Sequence, residues 1–213
     1  MHNGIAIALA WPETSCKQAG SWYDIPMKWV GLNVDYSYKI GHSAIVLINK
    51  STGDCSYFDF GRYHSPFQYG RVRSDETDCE LEIKSKAEFN EAGSLQNYKE
   101  ILEELFKNKA CHGTGRMCAS YCDVVFENAH EQAIIMQQQS PIPYGPFLPY
   151  GTNCSRFVNE ILLSGKPNLL FQVALKFTKI ISPTPIGNVK TLSNYCIMSK
   201  ELINETIRPL LSS

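Results

Sequence analysis

The sequence predicts an α+β fold in which a small antiparallel sheet packs against a helix that begins at a cysteine, Cys154. Three observations predict it. Two runs rich in apolar or aromatic residues, 42–49 and 54–60, flank the four-residue turn Lys50-Ser-Thr-Gly53 and so read as a hairpin. Segments 97–108 and 124–137 place apolar residues at helical spacing. From Cys154 onward, Phe157, Val158, Ile161 and Leu162 keep the i, i+3, i+4, i+7, i+8 rule.

Taken in order, residues 5–11 form an unbroken apolar run bounded by Pro12, the pattern of a buried strand and too short for a membrane span. Residues 12–38 hold Trp22, Tyr23, Trp29 and Tyr36 with little periodicity, and predict a long aromatic-rich loop or lid. After the hairpin, 79–83 predicts a short strand. Helix 97–108 turns Tyr98, Ile101, Leu102, Leu105 and Phe106 to one side, and 116–121 predicts a further strand. Helix 124–137 turns Phe126, Ala129, Ala133 and Met136 inward. Four prolines between 140 and 149 exclude regular structure there. Thr152 or Asn153 caps the cysteine helix, and Gly165 with Pro167 ends it. The apolar stretch 169–181 is ambiguous in type. A Pro/Gly segment at 183–187 and a polar tail follow.

Composition narrows the function. A chain of 213 residues, 44% hydrophobic and 19% charged, can bury a sizeable core. Its net charge of −1, without a basic run, argues against nucleic-acid binding. The eight cysteines are not needed as a disulfide framework in a chain this long, and mostly free thiols in a cytoplasmic protein are expected. Leaderless export, or a leader already removed, would leave the same composition. Cys111, His112, Cys118 and Cys122 fit no zinc spacing well, and neither a metal nor another cofactor is expected.

The chemistry concentrates at Cys154 and His42. A thiol at a helix N-terminus meets the unpaired amides of the first turn, which favour a thiolate and a developing oxyanion. A buried structural cysteine is the competing reading. His42 follows Gly41 at the mouth of an apolar strand, where a base can be held rigidly. His64 and His112 stand in polar loops and His130 on the outer side of its helix. If Asn49 pairs with Asp54 across the turn, Ala44 opposes Asp59, which then lies diagonally across from His42 on the same face. Asp59 is flanked by Phe58 and Phe60 and wants a partner; Asp54 is the fallback carboxylate. Tyr150 is a further candidate hydrogen-bond donor.

The motifs His42-Ser-Ala-Ile-Val-Leu47, Tyr57-Phe-Asp-Phe-Gly61 and Asn153-Cys-Ser-Arg-Phe157, in that order, resemble those of the circularly permuted papain-like hydrolases. That group takes in permuted NlpC-type enzymes, PPPDE peptidases and lecithin–retinol acyltransferase-like proteins, the last sharing Asn-Cys-x-x-Phe-Val through Val158. The likeness spans residues 40–63 and 144–163. It implies a permuted papain-like fold, here read as one domain over 1–213, in which the loop or lid at 12–38 and a C-terminal extension from about 167 have no counterpart in the group. By the resemblance Cys154 matches the nucleophile, His42 the base and Asp59 the third residue. Gly41 and the Ser155-Arg156 pair depart from the group's usual residues.

The expected activity is therefore that of a cysteine peptidase or amidase on a peptide or peptidoglycan-like amide. An acyltransferase or thioesterase acting on lipid acyl groups, and a binding module that kept the fold without turnover, are the alternatives. A polar groove at the cysteine favours the first, and an apolar tunnel the second.

Overall fold

The computed structural model of the protein describes residues 2–17, 33–34, 37–38, 41–145, 148, 150–181 and 183–202. Most of the aromatic-rich segment, with Trp22, Tyr23, Trp29 and Tyr36, lies outside the described residues.

The expected strand at 5–11 is β1 (Gly4–Trp11), and the hairpin is β5 (His42–Asn49) and β6 (Cys55–Gly61). Three two-residue strands lie between them, β2 (Cys16–Lys17), β3 (Asn33–Val34) and β4 (Ser37–Tyr38), and pair with one another. The remaining strands are β7 (Tyr69–Arg73), β8 (Met117–Val124), β9 (Ile142–Pro143) and β10 (Ser193–Met198). The main sheet is antiparallel and larger than the small one expected, with seven strands in the order β10-β8-β1-β5-β6-β7-β9.

Every residue of β1 is buried, and so is every residue of β5 before Asn49. Such unbroken apolar runs arise when both faces of a sheet are covered. On one face, Ala6, Ala8, Ile45, Leu47, Phe58 and Phe60 meet α2 (Phe126–Gln138), α3 (Cys154–Ser164), α4 (Leu169–Ile181) and α5 (Pro185–Thr191). On the other, Ile5, Ile7, Leu9, Val46 and Tyr57 meet α1 (Tyr98–Lys107) and the connections carrying Leu81, Ala87 and Leu95. Each large apolar side chain sealed in these layers contributes about 1.5–3 kcal/mol.

The helices form where apolar spacing and caps agree. Ile101, Leu102 and Leu105 are the buried residues of α1, and Ala129, Ala133 and Met136 those of α2. In α3 the Asn153 side chain accepts from the Arg156 N–H at 2.9 Å, a cap worth about 1 kcal/mol. Phe157, Val158, Ile161 and Leu162 are fully buried against β5 and β6.

Four expectations change. Residues 79–83 do not make a strand: Cys79–Leu81 is a turn of 3₁₀-helix that buries Leu81 alone. The proline-rich segment does enter the sheet, through β9 at its edge, where a missing N–H costs no ladder bond. The Pro/Gly segment begins α5, with Thr184 as its cap and Pro185 in the first turn, a position proline tolerates. The polar tail supplies β10, and Leu175, Val189 and Leu192 enter the core, so α4, α5 and β10 are woven into the same layers. The ambiguous stretch 169–181 is helical.

Candidate active site

β5 opens at His42, immediately after Gly41. Gly41 has φ +79°, and a side chain there would meet the Trp11 carbonyl oxygen at 2.8 Å. Only glycine combines that conformation with that approach, and it brings His42 into register opposite Trp11. The two rings stack with centroids 5.8 Å apart.

The hairpin register is the one the turn implies, with the Asn49 N–H donating to Asp54 and Ala44 opposite Asp59. Asp59 therefore reaches His42, whose Nε2 lies 3.1 Å from Asp59 Oδ2. The fallback, Asp54, is instead a surface residue 3.0 Å from Lys86.

Asp59 is completely buried and collects donors that the sequence reading missed. Arg73, its direct partner across β6 and β7, donates Nε to Oδ1 at 3.0 Å and Nη2 to Oδ2 at 2.7 Å. The Tyr57 and Tyr63 hydroxyls donate to Oδ2 at 3.1 and 3.2 Å. Tyr63 also stands 3.3 Å from His42 Nε2, with the Arg73 guanidinium 3.5 Å above its ring and His112 stacked on it. Tyr57 had a signal, being two residues before Asp59 and thus on the same strand face. Arg73 had none, because its strand carries too few apolar residues to announce itself.

Cys154 is the first residue of α3, near enough to the His42 ring for the two side chains to interact. Cys154 and His42 each keep 6% of their surface. The loop before the cysteine is tied to the sheet edge, the Thr152 N–H donating to Pro143 and Gly145 N–H to Thr152. Within the core, Asn188 of α5 donates to the Ser155 carbonyl at 2.8 Å and steadies the first turn. Tyr150 is 97% exposed and stands outside this cluster.

Electrostatics follow from burial and partners. Burial alone would push the His42 imidazole down, but its hydrogen bonds to Asp59 and Cys154 outweigh that and raise it to about 9. Burial alone would raise the Asp59 carboxyl, but hydrogen bonds from His42 and Arg73 hold it at about 2. Both shifts link stability to pH. The His42 contribution is whole below about pH 6.5 and is lost as pH rises through about 9, because the folded chain holds the proton longer. The Asp59 contribution is whole above about pH 4 and is lost as pH falls through about 2. Urea unfolding is expected to be hardest between those limits. His42→Gln should remove the decline between about pH 6.5 and 9; an unchanged decline in that variant would assign it to other groups.

The described residues hold no group of three or more His, Cys, Asp or Glu side chains arranged to bind a metal ion. Among them, no helix is long and apolar enough to cross a membrane. Fold and site together define a mixed α+β protein with a thiol beside an imidazole that is hydrogen-bonded to a buried carboxylate. The family is given by sequence: the model for type VI secretion system effectors of the TseH-like family matches residues 6–169, and the chain belongs to that family. It also superposes on the crystal structure of the type VI secretion system effector TseH, with a TM-score of 0.53 and 17% identity. That match covers 93% of this chain and 99% of the other. No curated protein matches the chain.

Proposed function

We propose that this protein is an effector enzyme of the cysteine hydrolase class, a peptidase or amidase with the permuted papain-like arrangement over residues 1–213. The observation that carries the reading is that one imidazole, His42, is hydrogen-bonded to the buried Asp59 and lies within interaction range of Cys154 at the head of α3. Membership in a secretion system effector family supports an enzyme that acts as an effector.

In this reading Asp59 holds the Nε2–H and so fixes the ring with Nδ1 toward the sulfur. The Cys154 proton rests on His42 before the attack, leaving the imidazolium that the raised titration of the ring favours, and the sulfur attacks the carbonyl carbon of an amide. The carbonyl oxygen, now negative, is met by the Cys154 N–H at the head of α3, which has no acceptor within the helix. Collapse breaks the C–N bond, and the departing amine takes the proton from His42. Water, deprotonated by His42, then attacks the thioester, releasing the carboxylic acid and restoring the thiol.

The experiment is single-turnover reaction with a panel of peptide amides, followed by acid quenching and mass spectrometry of the fragment containing Cys154. Amine release and an acyl adduct on Cys154 are expected. Cys154→Ala should lose at least about 10³-fold in rate while unfolding at the same temperature. Turnover retained in that variant would remove the assignment.

A further inference from the structure

The motif Tyr57-Phe-Asp-Phe-Gly61 ends on a glycine that takes no part in the proposed chemistry. Gly61 is buried at the end of β6. A side chain there would meet Tyr63 Cε2 at 2.4 Å, Cζ at 2.7 Å and Cδ2 at 3.0 Å. All three atoms belong to one ring, so the glycine leaves the space into which Tyr63 folds back over its own strand. The backbone beyond it is anchored. The Tyr63 carbonyl accepts from Arg71 Nε at 2.8 Å and from the Ser65 hydroxyl at 3.2 Å. Arg71 is fixed in turn by both carboxylate oxygens of Asp78, at 2.7 and 2.6 Å.

So placed, the Tyr63 ring packs against the Arg73 guanidinium at 3.5 Å and against His112 at 5.2 Å, and its edge meets His42 at 87°. Its hydroxyl stands 3.2 Å from Asp59 Oδ2 and 3.3 Å from His42 Nε2. One arrangement of protons satisfies both contacts. The hydroxyl donates to Asp59, and its oxygen shares the Nε2–H proton with Asp59. Trp11 is stacked on the same imidazole, with 5.8 Å between centroids. A stacked indole restrains tilting of the ring but not sliding in its plane. One acceptor on Nε2–H fixes a distance; two oxygens from different positions fix its direction as well.

We propose that Tyr63 is a positioning residue for His42, and that Gly61 is what admits its ring to that place. The consequence for turnover rests on the hydrolase reading of Cys154 and His42. In that reading Tyr63 touches no reacting atom. It holds the imidazole in line with the sulfur, so its removal costs aim and not the proton carrier itself.

Tyr63→Phe removes the hydroxyl and keeps the ring. In the full-length protein it is expected to slow iodoacetamide labelling of Cys154, measured against Cys79, by about tenfold, the effect of one hydrogen bond to a charged group. The ring N–H resonance of His42, assigned by its loss in His42→Gln, should exchange with water about tenfold faster in the same variant. Gly61→Ala drives the ring out and should give both effects, with Tyr63→Phe adding less than about twofold to them. Near-ultraviolet circular dichroism should match the wild type. Its loss in both variants would assign Tyr63 to folding and overturn the proposal; if one variant keeps it, that variant decides. Unchanged exchange in Tyr63→Phe, a ring N–H too short-lived to observe in the wild type, or additive losses in the double variant would each overturn it. So would unchanged Cys154 labelling where the wild-type thiol is fast. A wild-type Cys154 labelled no faster than Cys79 sinks the hydrolase reading instead, and exchange alone then judges Tyr63.

Discussion

Replacing Arg73 with methionine is expected to lower folding stability by about 3–5 kcal/mol. Arg73 is 3% exposed and Asp59 is fully buried, so the pair is paid for by desolvation on both sides. Removing the guanidinium leaves a carboxylate in the interior with only His42, Tyr57 and Tyr63 to hold it. It also removes the cation from above Tyr63 and the donor to the Ala110 carbonyl. Arg73→Lys should recover part of the loss at most, because an ammonium cannot give two parallel bonds to Asp59 and a planar face to Tyr63. Denaturant unfolding of the three proteins checks this. A loss below about 1 kcal/mol, the scale of an exposed ion pair, would mean that water reaches Asp59 and that the buried network is not what fixes His42.

His42→Gln is expected to slow iodoacetamide labelling of Cys154 near neutral pH by about 10²-fold, the lower end of what a positioned base contributes. Glutamine keeps a polar side chain near Asp59 but cannot take the thiol proton. The other thiols provide the standard. Burial pushes Cys55 up to about 11 and Cys111 and Cys122 up to about 12, so their labelling is slow background. Exposed Cys79 reports reagent quality in the same molecule. Peptide mapping of wild type and variant gives the ratio of Cys154 to Cys79 labelling. A ratio unchanged by the substitution would show that His42 does not activate the sulfur.

What could be read before folding was governed by short-range periodicity. The apolar and aromatic runs 42–49 and 54–60, with a turn of known length between them, placed Asp59 diagonally from His42, and the register bears this out. The stripe from Cys154 to Leu162, with Thr152 or Asn153 as cap, placed the thiol at the head of a helix, and the structure makes Asn153 the cap. Where patterning was weak, so was the reading. The tail that becomes β10 exposes Ser193, Asn194 and Tyr195, and its strand character comes from pairing with β8. Proline at 183 and 185 looked like a break, yet proline at the first turn is compatible with α5.

The sequence by itself determined the local placements: which side chains share a strand face, which amides open a helix, and that an imidazole stands where a strand begins. Only the tertiary structure decided that they meet. His42 shares the parity of Ala44 and Val46, on the face covered by α1, whereas α3 packs on the opposite face. Thiol and ring come together at the end of the sheet, where His42 opens β5. Arg73, brought beside Asp59 by strand pairing, completes the arrangement. Such contacts, between residues far apart in the chain, are set by the packing of whole layers and leave no trace in any local window of residues.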